Sequence, residues 1–189
     1  MEFFAAIDIE TTGLDFGKCE MIELAIVPLE KDFTISTAIP EFTARIKAEH
    51  PETAEAQALL VNRMNPADGE SRAVVRDNLV AWMKENGIEQ IVPVAHNLEF
   101  DLRFLNKTFP ELRKAFSHHG RDSMRLALSV NDIYYQETGK VKFQSASLRA
   151  VKEVLGIDGD VQHNAFEDAK DAAAVYRQLI EILTQRQIN

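Results

Sequence analysis

The sequence predicts an α/β fold built on a mixed sheet, on three observations. Residues 3–9 and 21–29 are apolar, rich in β-branched and aromatic side chains, and separated by a short glycine-containing segment, which suits neighbouring antiparallel strands. Residues 91–95 (IVPVA) form another short apolar strand, but it follows a long helical segment, and a strand reached through a crossover helix pairs parallel. Most of the chain after Pro51 has its apolar residues at helical spacing.

Taken in order, the first strand is apolar on both faces, as a central strand must be. The segment TTGLDFGKCE forms the loop to the second strand, MIELAIVPL, and one or two short strands within 33–47 extend an antiparallel meander. Helices are expected over 53–61 and 71–85. In the second of these Val74, Val75, Leu79, Val80, Trp82 and Met83 recur at helical spacing, and Gly87 stands at the stop position. After the 91–95 strand comes an amphipathic helix over 98–109, with Asn97 as its cap. Further helices are expected over 111–118, 121–130 and 147–155, and a long one from about 165 to 185. The least regular stretch, VNRMNPADGES at 61–71, reads as a functional loop.

A chain of 189 residues that is 46% hydrophobic and 27% charged, without repeats or a linker, is expected to form a single domain over 1–189. No apolar run is long enough to cross a bilayer, and Met1-Glu2 opens the chain without a basic segment leading into an apolar one. The expectation is a cytoplasmic protein with no membrane partner. Cys19 is the single cysteine, which rules out an internal disulfide and a thiolate metal cluster. The formal net charge of -9 argues against coating nucleic acid by bulk electrostatics. It is compatible with a cleft of carboxylates that hold divalent cations and so present positive charge to a phosphate.

Three segments supply such carboxylates. In AAIDIETTG, Asp8 and Glu10 lie two apart at the end of a buried strand and point to one face, where they repel unless a cation sits between them. Alone, a D-x-E pair is more often an exposed turn. In HNLEFDLRFL, Asp101 lies at the edge of the helical face made by Phe100, Phe104 and Leu105, just beyond a parallel strand, where α/β sheets open their clefts. In HNAFEDAKDAAAVYRQLIEIL, the apolar stripe through Leu183, Leu179, Tyr176 or Val175, and Ala172 runs back onto Asp168. A carboxylate at a core-facing position needs a cation or a strong donor, whereas Asp171 reads as solvent-facing and Glu167 lies off the stripe. His163 stands in a loop five residues before Asp168, and imidazole is suited to general-base work near neutral pH. His50, His118 and His119 read as surface residues, and His96 as a structural or substrate-side one.

Together these segments resemble the three motifs of the DEDDh 3′-to-5′ exonucleases, the RNase H-like family that includes the proofreading exonuclease subunit of bacterial DNA polymerase. Asp8-Ile9-Glu10-Thr11-Thr12-Gly13 is similar to D-x-E-x-T-G, residues 96–101 to H-N-x-x-F-D, and residues 163–168 to H-x(4)-D. SLRAVKEVLGI and RDSMRLA also resemble family segments, so the likeness spans almost the whole chain. It implies an RNase H-like mixed sheet of five strands, the first three antiparallel, flanked by helices. It further implies that Asp8, Glu10, Asp101 and Asp168 hold two divalent cations, Mg²⁺ or Mn²⁺, with Asp8 bridging both and His163 as general base. The implied reaction is two-metal-ion release of nucleoside 5′-monophosphates from an unpaired 3′ end of single-stranded DNA or RNA, DNA favoured. A polymerase or repair complex is the implied partner.

By the same resemblance Thr11, Thr12 and Gly13 bind the terminal sugar, Leu14 and Phe100 stack or wedge, and Asn97 lies on the substrate side. Arg121, Arg125, Lys140, Lys142 and Arg149 are candidate phosphate contacts, most of them more simply read as solvated charge. Many family members carry a histidine-glycine segment before the helix leading to the second motif. This chain has LLVNRMNPADG there, with Met64 or Arg63 as the substitute contact. Two other readings compete. A non-catalytic nucleic-acid- or polymerase-binding module of this fold would be expected to have lost at least one site residue, and all are present. DIETT also resembles the nucleophile strand of haloacid-dehalogenase-like phosphatases, a reading that leaves Asp101 and His163 unused.

Overall fold

A computed structural model describes residues 3–159 and 161–186, so the outer limits of the expected 1–189 domain lie outside the described residues. The sheet has five strands: β1 (Phe3–Thr11), β2 (Met21–Pro28), β3 (Phe42–Arg45), β4 (Ile91–Ala95) and β5 (Arg121–Asp122). Their order is β3-β2-β1-β4-β5. The first three are antiparallel, while β1, β4 and β5 run parallel. The helices are α1 (Ala56–Asn62), α2 (Arg72–Glu85), α3 (Leu98–Thr108), α4 (Ser123–Thr138), α5 (Leu148–Leu155) and α6 (Ala165–Arg186). The mixed sheet with three antiparallel strands and flanking helices is the architecture expected. Among the described residues no helix is long and apolar enough to cross a membrane.

Alternation along β1 divides the core. Ala5, Ile7 and Ile9 pack with Val75, Leu79 and Trp82 of α2 and Phe104 of α3, whereas Ala6 faces α6. On that second face Ala6 and Ala25 of the sheet meet Ala165, Ala169 and Ala173 of α6. Alanines on both sides let the helix lie close to the sheet, which brings its first turn to the end of β1. A third cluster joins Ala127 and Val130 of α4, Val151 of α5, and Val175 and Leu179 of α6.

Residues 33–47 supply one strand, β3, within the one or two expected, preceded by an isolated bridge between Leu29 and Ile35. Other expected elements are corrected. The helix expected from 53 begins at Ala56, after a 3-10 turn at Pro51–Thr53. Residues 111–118 are not an α-helix. After a 3-10 turn at Pro110–Leu112 the chain runs beside β4, where Ile91 donates to Ala115 O and accepts from Ser117 N, each at 2.8 Å. The i, i+4 pair Leu112 and Phe116 looks helical, but the open edge of β4 takes the backbone hydrogen bonds instead. Arg121 and Asp122 then form β5, and α4 continues to Thr138 rather than stopping at 130.

Asn97 does not cap α3. It sits in the left-handed region at φ 72, and the cap is supplied by Asp122, whose carboxylate accepts from Asn97 N at 3.2 Å and Leu98 N at 3.1 Å. The same carboxylate accepts from Met124 N and Arg125 N, so one acid caps both α3 and α4. Asp171 is also corrected. It faces Lys152 of α5, which is 2% exposed, in an ion pair that ties α5 to α6 one turn beyond Asp168.

Candidate active site

The carboxyl ends of β1 and β4 lie on the same side of the sheet, and both lead to acids. Asp8 and Glu10 share with Ala6 the face of β1 that looks toward α6. Asp101 is in the first turn of α3, 3% exposed. Asp168 is in the first turn of α6, 5% exposed, with one oxygen accepting from Gln162 N at 3.1 Å. His163 lies in the loop before α6, exposed and left-handed at φ 50. Glu10, His163 and Asp168 each offer a ligand atom within 4.8 Å of the other two.

The electrostatics show how closely these acids are grouped. Burial pushes the Asp8 carboxyl well above the usual carboxylate range, and Asp101, Asp168, Glu10 and Glu23 all push it further. Burial, then Asp168 and Glu23, pushes Glu10 up to about 7 against the opposing effect of an Asn62 hydrogen bond. Asp101 is raised by burial, with Asp122 and Glu10 adding to it, while its own N–H and that of Ile9 oppose the shift. Asp168 is likewise raised by burial, opposed by Gln162 N–H and by the His163 side chain. A set of oxygen donors held short of its charge by burial, and in Asp8, Glu10 and Asp101 also by neighbouring acids, suits hard divalent cations.

This arrangement makes stability depend on pH. The Glu10 carboxyl has an ordinary value of 4.5 and is pushed up to about 7 in the folded chain. Between those values the folded chain binds more protons than the unfolded one, so its stability falls as pH rises. For Glu10 alone the loss is about 3 kcal/mol, complete above its folded value. In a chelating buffer the melting temperature is therefore expected to be lower at about pH 8 than at about pH 5. Added Mg²⁺ or Mn²⁺ should raise it most at the higher pH. A chelated melting temperature that is flat over this range would contradict the described electrostatics.

Two members of the cluster escaped sequence reasoning. Glu23 of β2 stands directly opposite Glu10 in the register, and its carboxylate accepts from Ala165 N at 3.0 Å, which fastens the start of α6. The signal was available, because Glu23 is the one charged residue within MIELAIVPL. Asn62, buried at the end of α1, donates to Thr11 O at 3.0 Å and accepts from Met64 N at 3.1 Å. It sits in the irregular 61–71 stretch, where no periodicity marks one residue over another.

The other candidate residues divide into two groups. Leu14, Asn97 and Phe100 come together around a groove of about 150 Å³ with Phe16 and Arg103. The hydroxyls of Thr11 and Thr12 are turned inward. Thr11 Oγ1 donates to Gly13 O at 2.8 Å, and Thr12 Oγ1 accepts from Glu20 N at 2.8 Å. Gly13 is buried too, and a Cβ there would lie 2.4 Å from Glu55 Cδ and 2.5 Å from Cys19 Sγ, so a side chain at this position would push the Glu55 and Cys19 side chains aside. His96 is a structural pin, with Nδ1 2.9 Å from Ser123 Oγ and Nε2 2.8 Å from Ala146 O, and burial lowers its pKa. Arg125 pairs with Glu99 and Asp122, Arg121 lies over Phe4, and Lys142 over Tyr134.

A mixed sheet whose parallel strands end in converging carboxylates is the arrangement of a phosphodiester-cleaving nuclease of RNase H-like fold. Residues 5–176 match the model of the RNase_T family, described as exonuclease, and the chain belongs to that family, within the DEDD-type exonucleases. A DNA polymerase III subunit epsilon of Aquifex aeolicus is 30% identical over 183 residues, covering 95% of this chain and 81% of the relative. A PolC-type DNA polymerase III of Thermotoga petrophila is 25% identical over 181 residues, covering 95% of this chain. This chain spans about 12% of that relative's length. The crystal structure of E. coli exonuclease I with a dT13 oligonucleotide is similar in fold, with a TM-score of 0.71 at 16% identity over 95% of this chain and 41% of that one.

Proposed function

We propose that this chain is one exonuclease domain that removes nucleoside 5′-monophosphates from the 3′ end of single-stranded nucleic acid, DNA in preference to RNA. The observation that carries the proposal is the convergence of Asp8, Glu10, Asp101 and Asp168 at one end of the sheet, with His163 at its rim. The donor set fits divalent cations, and these four residues would hold two of them, Mg²⁺ or Mn²⁺. When bound, such ions supply Lewis acidity toward water and the phosphate oxygens.

The chain's own groups do the rest. His163 lies on the exposed side of Glu10 and Asp168, so its imidazole can take the proton of the attacking water while the acids stay fixed. The groove beside Leu14, Asn97 and Phe100 offers an apolar edge on which an unpaired terminal base can stack. Met64 donates its N–H to Asn62, the residue that hydrogen-bonds Glu10, and is the candidate terminal-nucleotide contact on that side. With the hydroxyls of Thr11 and Thr12 occupied, the terminal sugar would meet the β1 turn through its backbone. The fold of the exonuclease I–dT13 complex supports single-stranded DNA as substrate. The subunit epsilon relative supports a polymerase or repair complex as partner, in proofreading or DNA repair. A cytoplasmic site of action agrees with a single buried cysteine left free.

The test uses 5′-labelled oligonucleotides, single-stranded and paired, in DNA and RNA, with Mg²⁺, Mn²⁺ or chelator. The expected result is a ladder of products shortened from the 3′ end, fastest on single-stranded DNA and absent with chelator. Binding of the oligonucleotide without any shortening in Mg²⁺ or Mn²⁺ would favour the non-catalytic module instead. Release of phosphate from a small phosphomonoester without oligonucleotide cleavage would favour the phosphatase.

A further inference from the structure

The loop after β1 carries Leu14, which is 78% exposed, yet the loop itself is held from three directions. Its base is closed by Thr12 N donating to Glu20 O at 2.8 Å and Glu20 N to Thr12 Oγ1 at 2.8 Å. Its interior is a tight turn, with Cys19 N donating to Asp15 O at 2.7 Å and Gly17 N to Asp15 Oδ1 at 2.9 Å. From the α1 side, the Glu55 carboxylate accepts from Leu14 N at 3.3 Å and from Cys19 Sγ at 3.5 Å. From the α3 side, Lys107 Nζ donates to Phe16 O at 2.7 Å and Cys19 O at 2.8 Å. One turn earlier on α3 the Arg103 guanidinium lies 4.0 Å above the Phe16 ring.

Phe100, Arg103 and Lys107 occupy one face of α3, so the helix that carries Asp101 also sets the position of the loop opposite. A large apolar side chain left in water on a firmly tethered loop is well placed to act on something brought against it. A base pair at a duplex end is flat and apolar on its outer face, and it yields to a wedge only if the wedge does not yield first.

We infer that Lys107, assisted by Glu55, is a specificity-determining positioning residue that holds Leu14 rigid against the last base pair of a paired 3′ end, so that the terminal nucleotide is opened into the groove. The inference rests on the exonuclease reading above and adds to it the residue that governs action on paired ends. A single-stranded end needs no opening, so it asks of Leu14 only an apolar edge and depends far less on how firmly the loop is held.

The experiment compares initial rates of the full chain with Mg²⁺ on a single-stranded DNA oligonucleotide and on the same 3′ end fully paired. For Lys107→Met the single-stranded rate is expected to stay within about twofold and the paired-end rate to fall about tenfold, the factor that corresponds to the stacking of one base step. Lys107→Arg, which keeps donors for both carbonyls, should restore the ratio. Leu14→Ala, which also removes part of the groove, should slow both substrates and the paired end more, and adding Lys107→Met to it should lower the ratio no further, because both act through one device. Glu55→Ala tests the opposite tether if Lys107→Met folds poorly. Amide hydrogen exchange over residues 14–19 should quicken in Lys107→Met, independently of activity. A proportional fall on both substrates, an unmoved ratio, or unchanged exchange would overturn the inference while leaving the exonuclease reading standing. A wild-type chain that cleaves neither substrate would overturn both.

Discussion

Asp8→Ala, and separately Asp168→Ala, is expected to lower nucleotide release from a 3′ end by about three orders of magnitude or more, with the fold retained. Burial raises the Asp8 pKa most, and Asp101, Asp168, Glu10 and Glu23 all add to it. Its ionised form therefore opposes folding of the metal-free chain above the ordinary carboxylate range, and removing it relieves that repulsion. The melting temperature of Asp8→Ala in chelator near neutral pH should be at least that of the wild type, and added Mg²⁺ should raise it less. Asp168→Ala gives up the 3.1 Å bond from Gln162 N, so its metal-free melting temperature should gain less than that of Asp8→Ala. Undiminished degradation by either purified variant would remove the basis for the carboxylate site.

The second large effect is expected at His163. Its replacement by alanine should lower the single-turnover rate by about a hundredfold to ten-thousandfold, the range for a positioned general base. Mn²⁺ binding should survive, because the four acids remain. His163 is left-handed at φ 50, a region that costs alanine more than asparagine. His163→Asn therefore separates loss of the imidazole from strain in the loop, and both variants should be slow from about pH 6 to 8. Wild-type turnover in either one across that range would mean that another group takes the proton.

The site was legible where a residue broke a pattern. Asp168 interrupts an apolar stripe on α6, and Asp8 and Glu10 interrupt a buried strand, so each could be seen against the periodicity around it. Glu23 breaks the pattern of β2 in the same way, but its meaning depends on register, which sets it across from Glu10. Thr11 and Thr12 sit in a recognisable motif, yet the direction of their hydroxyls is decided by partners at Gly13 and Glu20. The capping of α3 was misassigned for the same reason. Asn97 is a good cap by type, but Asp122, distant in sequence, reaches both helix ends once β4 and β5 lie side by side.

The sequence by itself determined the mixed sheet and most of the helices, which follow from local periodicity within single segments. Its three motifs, with Asp8, Glu10, Asp101, His163 and Asp168, are legible through their resemblance to the exonuclease family. Only the tertiary structure decided that residues 111–118 pair with β4 instead of coiling, that Asp171 turns to Lys152, and that Glu55 and Lys107 grip the loop carrying Leu14. Each of these is a contact between segments far apart in the chain. Such contacts are selected by which backbone groups and charges would otherwise be left without partners, and that is settled only when the whole core closes.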